Sequence, residues 1–185
     1  NGRIQGAVEI FQTESPVGDL RDRLRHLQKL TFVDTLTGLA NRRYIEQTLN
    51  ARISEVLRYK ANSGVLFMDV DNFKSINDTW GHALGDETLR LVARNLTGNL
   101  RPFDTVGRWG GDEFVAICEH VSPRELAVIG RRYAMLMRTS SLPVRHGNLH
   151  LTLSLGGTMI RRDDTPATLM ERADRLLYQS KRTGK

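Results

Sequence analysis

Residues 65–71 read Val65-Leu66-Phe67-Met68-Asp69-Val70-Asp71, apolar on both parities until the first aspartate. A strand that is apolar on both sides is covered on both sides, as in the centre of an α/β sheet. The run predicts a strand over 64–71 with helical layers above and below it. Its end carries two carboxylates, which strict alternation would place on one face. Charges at a buried strand end are costly unless they are paired or bound to a metal ion. Asn72-Phe73-Lys74 then turns into a helical segment. Free amides at such a junction suit a phosphate, and Lys74 adds charge. Asp71 reads equally as a helix cap or a structural hydrogen-bonding group.

A second acidic site lies at Gly110-Gly111-Asp112-Glu113-Phe114, between the strand-like runs 105–109 and 114–117. A Gly-Gly pair between two such runs predicts a tight β-hairpin, with both glycines at positive-φ turn positions. Carboxylates at a hairpin tip can hold a hard cation beside a phosphate chain. An ordinary solvated acidic turn is the competing reading.

Taken together, four stretches resemble the GGDEF-domain diguanylate cyclases. They are Asp34-Thr35-Leu36-Thr37-Gly38-Leu39-Ala40-Asn41-Arg42, Asp69 to Asp86, Arg108 to Phe114, and Ala173 to Lys181. Four ordered motifs are far more specific than any one of them. The resemblance covers residues from about 30 to 185. It implies an α/β fold with a mixed central β-sheet surrounded by helices, similar to polymerase palms and nucleotide cyclases. It also implies condensation of two GTP molecules to cyclic di-GMP, with one GTP held by each subunit of a homodimer.

The family pattern carries over residue by residue. Asp69, the Val70 carbonyl and Asp112 would ligate Mg²⁺, with Mn²⁺ as a substitute. Asp112 is the position usually given the proton-accepting role, and Glu113 would serve a second metal or shape the turn. Asn77, His82 and Asp86 map onto the guanine pocket. A carboxylate there accepts from N1–H and the N2 amino group of guanine, a pair that adenine lacks. The phosphates would meet the amides of Asn72 and Phe73, together with Lys74, Lys181 and Lys185. The family often has arginine at the last of these positions, and lysine loses the bidentate fork. Arg101-Pro102-Phe103-Asp104 matches the inhibitory product-binding RxxD site, with Arg101 and Asp104 as its fixed residues. Either Arg131 or Arg132 would complete it. A catalytically inactive module that binds GTP or cyclic di-GMP is the alternative, although Asp69, Asp112 and Glu113 are all in place.

The chain carries 27 basic and 21 acidic residues, a net charge of +6. That balance suits nucleotides, and also nucleic acid. The basic residues are scattered and aromatics make up only 6%. Without an interleaved stacking platform, a nucleic-acid polymer is not the expected partner. The lone Cys118 sits in an apolar strand, where packing is its default role and a reducing, cytoplasmic compartment is expected. No apolar run is long enough to cross a bilayer, and any membrane anchor is expected upstream of Asn1.

Residues 1–15 resemble the closing strand of a PAS-like upstream sensor domain; another upstream domain's strand or an unstructured leader fits them too. Leu20, Leu24 and Leu27 place a signalling or linker helix in 16–33, either paired in a coiled coil or docked on its own domain. The cyclase-like domain is expected over 34–185. Within it the pattern predicts helices over 41–60, 72–79, 83–98, 123–138 and 166–182, the last two opening at Ser122-Pro123 and Thr165-Pro166. It also predicts one strand or a pair near 144–160, in which Leu149 to Leu155 alternate as a strand with His150 at the surface and with a bulge or close backbone approach at Gly156-Gly157.

Overall fold

The computed structural model describes residues 32–145 and 147–182. The expected upstream strand, nearly all of the linker helix and Lys185 lie outside the described residues. The described elements run β1 (Ala40–Asn41), α1 (Arg42–Tyr59), β2 (Ser63–Val70), α2 (Phe73–Trp80), α3 (His82–Thr97), β3 (Thr105–Gly110) and β4 (Glu113–Glu119). There follow α4 (Pro123–Arg138), β5 (Ser141–Val144), β6 (Gly147–His150), β7 (Leu153–Met159) and α5 (Pro166–Arg182).

Five strands form one mixed sheet in the order β1-β3-β4-β2-β7, and β5 and β6 pair separately. β1 lies parallel to β3, and every other neighbour in the sheet is antiparallel. The doubly apolar run is central, between β4 and β7, as expected. Its parity divides the core. Leu66, Met68 and Val70 join the layer of α3 and α4, while Val65 and Phe67 join that of α1 and α5. β4 divides in the same way, with Phe114, Ala116 and Cys118 on the first side and Val115 and Ile117 on the second. Each of the valine, leucine, isoleucine, phenylalanine and methionine side chains contributes roughly 1.5–3 kcal/mol through burial, so both layers are held firmly to the sheet.

Local chemistry sets the helix starts. Ser122 accepts from the Glu125 amide while Glu125 Oε2 accepts from the Ser122 amide at 2.7 Å, a reciprocal cap, with Pro123 in the first turn. Thr165 and Thr168 exchange similar bonds ahead of α5. Cys118 is buried, and burial beside the Asp104 charge pushes its thiol up to about 12. It is therefore a packing residue. His150 is exposed, as expected.

Two expectations fail in register. The alternating run 149–155 is not one strand: it pairs with β5 up to His150, breaks at Leu151-Thr152, and enters the main sheet at Leu153. The break is held by Asp71, whose amide donates to the Thr152 carbonyl at 3.0 Å. The hairpin turn also lies one residue later than expected. Gly110 pairs with Glu113, leaving Gly111 and Asp112 as the two turn residues, and only Gly111 has positive φ (49°). Positive φ at the first turn position alone matches a type II′ turn, which favours glycine there. The cause is a bulge between Arg108 and Gly110 that consumes one residue of β3.

Candidate functional site

The one-residue shift puts Asp112 at the hairpin tip. Its carbonyl accepts from the Val70 amide at 3.2 Å, which locks the tip to the end of β2. Asp69 and Glu113 stand directly opposite each other across β2 and β4. They share the parity of Val65, Phe67, Val115 and Ile117, so both face the α1/α5 layer. Like charges directly opposed on adjacent strands are destabilising. Burial raises the Asp69 carboxyl above its usual range, and the charges of Asp112 and Asp71 add to the rise. Burial likewise raises Glu113, joined by the charges of Asp69, Asp112 and Asp174.

One cation is seen to oppose this. Lys181 Nζ lies 2.7 Å from Asp69 Oδ1. It reaches that far because α5 comes unusually close to the sheet. A Cβ on Gly156 would collide with the main chain of Ala173 and Leu177. The close approach expected of this glycine pair is thus made by Gly156, and it delivers the end of α5 to the acidic cluster.

The remaining expected residues surround that cluster. Asn72 adopts φ 58° and turns β2 into α2 without capping the helix through its side chain. The Phe73 and Lys74 amides lie in the uncapped first turn, and Lys74 is exposed. Asn77 and Asp86 come from α2 and α3, which pack closely. The Asn77 carboxamide lies where a Cβ on Gly85 would be, next to Asp86. His82 is exposed at the start of α3. Asp71 is not part of the open cluster. It is 6% exposed, and its two oxygens accept from Thr152 Oγ1 at 2.6 Å and Ser154 Oγ at 2.7 Å.

Among the described residues no group of three or more His, Cys, Asp or Glu is arranged to hold a metal through side chains alone. The donor set fits a magnesium ion nonetheless. It consists of hard carboxylate oxygens, left under-neutralised by one lysine, with room for main-chain and phosphate oxygens. Magnesium ordinarily takes one or two carboxylates and completes its shell with water and phosphate.

The RxxD residues divide. Arg101 is exposed, whereas Asp104 is 7% exposed and accepts from the Glu119 amide at 3.0 Å. Its second oxygen is buried without a hydrogen-bond partner. Of the two arginines left open, Arg132 Nη2 donates to the Asn99 carbonyl at 2.9 Å, two residues before Arg101. Arg131 instead lines a cleft between α4 and β7.

Sequence reasoning gave no role to Asp34, Arg108 or Trp109. Arg108 Nε donates to the Gly111 carbonyl at 2.9 Å, and its Nη1 reaches Asp34 at 3.3 Å. Burial alone would raise the Asp34 carboxyl. Bonds from the Thr37 hydroxyl and amide, together with Arg108, outweigh burial and hold it below the usual carboxylate range. Trp109 packs edge-on to Phe67, and the Arg42 guanidinium lies 4.5 Å from its ring centre. These contacts fix the hairpin that carries Asp112. The sequence signal was the position of Arg108 and Trp109 immediately before the two glycines.

The chain matches the family described as diguanylate cyclase, GGDEF domain, over residues 31–185. It is 38% identical to the response regulator PleD of Caulobacter vibrioides over 169 residues, which is 90% of this chain and 37% of PleD. It is 37% identical to the diguanylate cyclase DosC of Escherichia coli over 191 residues, covering 100% of this chain and 42% of DosC. The chain therefore spans less than half the length of these relatives. The coiled coil and GGDEF domain of DgcB from Caulobacter crescentus, solved with c-di-GMP, superposes with a TM-score of 0.85 at 30% identity. That match covers 91% of this chain and 90% of the other. With the opposed carboxylates, the hairpin and the central strand in place, this chain belongs to the GGDEF family of diguanylate cyclase domains.

Proposed function

We propose that this domain condenses two GTP molecules to cyclic di-GMP, one GTP being held by each of two copies related by a two-fold axis. The observation that carries the reading is the under-neutralised acidic pair Asp69–Glu113, with Asp112 beside it at a hairpin tip and, among the described residues, only Lys181 on Asp69 as a counter-charge. Such a cluster stores repulsion that a divalent cation, held together with a triphosphate, would relieve.

Asp69, the Val70 carbonyl and Asp112 would hold magnesium, or manganese in its place. When bound, the metal would polarise the α-phosphate and lower the pKa of the attacking hydroxyl. The chain's own groups do the rest. Asp86 and Asn77 orient guanine, with His82 at the pocket's edge. The Asn72 and Phe73 amides with Lys74 hold the phosphates, and Lys181 and Lys185 balance their charge. Glu113 shapes the charge around Asp112, which stands ready to accept the proton.

Each bond-forming step joins a 3′-oxygen of one nucleotide to the α-phosphorus of the other. The bond to the β-phosphate oxygen breaks and pyrophosphate leaves. The same step in the opposite sense closes the ring. Neither half-site can do this alone, so the homodimer is obligatory. Arg101 and Arg132, backed by the buried Asp104, would form the site at which product binds back. An upstream sensor domain would set how two copies meet.

The test is the initial rate of cyclic di-GMP and pyrophosphate formation from GTP and Mg²⁺ at several protein concentrations. The expected result is turnover whose specific rate rises with concentration. No product at any concentration would refute the cyclase reading. Arg101→Ala is expected to relieve inhibition by added cyclic di-GMP while keeping the uninhibited rate. Unchanged inhibition in that variant would remove the product site.

A further inference from the structure

On the sheet face opposite α5, α4 and β7 together line a cleft of about 580 Å³. Leu66, Leu126, Leu155 and Met159 are among the side chains that line it, and Arg131 and Arg161 contribute from either side. The lining contains no acidic and no aromatic residue. Glycine lets the Leu66 side chain lie close against the cleft walls. A Cβ on Gly157 would come within 2.9 Å of Leu66 Cδ2, and one on Gly130 within 3.4 Å of the same atom. A side chain at Gly157 would displace Leu66, whereas a Cβ at Gly130 would make ordinary contact with it.

Arg161 lends charge to Asp164 without gripping its carboxylate. Asp164 lies three residues from Arg161 and accepts from its amide, but its oxygens are gripped by both Nη atoms of Arg172 at 2.6 Å each. Among the described residues neither Arg131 nor Arg161 forms an ion pair. An aliphatic trough between two guanidinium groups complements a molecule with an alkyl body and an anionic head. Arginine matches carboxylate in a two-pronged manner, and the volume lies in the ordinary range for small-molecule sites.

We propose that this cleft binds a free, single-chain amphiphilic carboxylate. Its chain lies on the leucine and methionine lining, and its head sits between Arg131 and Arg161. The apolar lining is concave, which favours one enclosed chain over a bilayer surface. The site is separate from the nucleotide site and does not depend on the cyclase reading.

The probe is sodium decanoate, titrated calorimetrically into the full chain below its micelle-forming concentration. The expected result is saturable binding at one site. Octanoate should bind about fifteenfold more weakly, since each of the two methylenes lost from an apolar site weakens binding about fourfold. Decyltrimethylammonium, with the same chain and opposite charge, should not bind. Arg131→Ala with Arg161→Ala should weaken decanoate at least tenfold, and Ala134→Leu should weaken it by filling the trough. Thermal melts confirm that each variant folds, and the arginine pair decides if Ala134→Leu does not. Four results would overturn the proposal: no saturation, equal affinity for the cationic chain, no effect of the arginine pair, or binding to phosphatidylglycerol vesicles without binding to decanoate.

Discussion

Two groups of carboxylates lie along α5, and they are treated in opposite ways. Near its start, Asp164 is buried and fully answered. It accepts from both Nη atoms of Arg172 and from the Arg161 amide at 2.7 Å. Burial alone would raise its carboxyl, but those bonds outweigh it and hold the group below its usual range. Near the end of α5, Asp69 and Glu113 face each other with Asp112 close by and are raised. Their described counter-charge is Lys181 on Asp69. A carboxylate kept for architecture is satisfied within the chain, whereas a carboxylate kept for a ligand is left wanting. Asp71 shows how sharp the line is. It lies two residues from Asp69, yet two hydroxyls satisfy it and it belongs to the architecture.

The largest effect that separates the groups is on turnover. Asp69→Asn should lower the rate of cyclic di-GMP formation by roughly a hundredfold to a thousandfold, the scale of losing one charge-stabilising group. It should not lower the melting temperature, because it removes repulsion. A melting temperature that fell with activity would make Asp69 structural and erase the contrast. Next is Arg172→Leu, which strands a buried carboxylate. Breaking such a pair costs about 3 kcal/mol, or a fall of roughly 6–12 °C in melting temperature for a chain of this size. A shift under about 2 °C would show that the Asp164 pair contributes little.

The smallest effect is in pH dependence, where the two groups should differ in sign. Asp164 has a folded pKa below its ordinary value, so the unfolded chain binds more protons. Its stabilisation is present above the ordinary carboxylate range and is lost as pH falls through the folded value. Asp69 and Glu113 have folded pKa values above the ordinary ones, so the folded chain binds more protons. Their repulsion costs nothing at low pH and grows as pH rises through the carboxylate range. Chemical denaturation should therefore find Glu113→Gln more stable than the parent at pH 7 and no more stable at pH 3. For Asp164→Asn the deficit should be present at pH 7 and shrink at pH 3. Parallel curves for the two variants would contradict the assignment.

Much of this arrangement was legible in the sequence. Apolar residues on both parities of 65–68 placed the central strand, and the starts at Ser122-Pro123 and Thr165-Pro166 fixed α4 and α5. The family motifs named Asp69, Asp112 and Lys181, but not the contacts that bring them together. Three features depended on partners distant in sequence. The bulge at Trp109, packed against Phe67 and Arg42, moved the turn by one residue. Asp71 captured the Thr152 and Ser154 hydroxyls, eighty-one and eighty-three residues away, and split an otherwise perfect alternation. Arg108 joined Asp34 to the hairpin tip across seventy-four residues. Local periodicity carries no record of such pairings. It could not choose between Arg131 and Arg132 either, because adjacent helix positions differ only in which neighbour they face.

The most direct test of the central claim is thermal unfolding with and without Mg²⁺ plus a non-hydrolysable GTP analogue. It should be run on the parent chain, Asp69→Asn and Asp112→Ala. At a thousandfold excess over the dissociation constant, ligand binding should stabilise the parent by about 4 kcal/mol, and omitting Mg²⁺ should abolish most of that rise. Both variants should melt at or above the unliganded parent and gain little from the pair of ligands. An equal rise in the parent and both variants, or a rise in the parent that ignores Mg²⁺, would contradict the account.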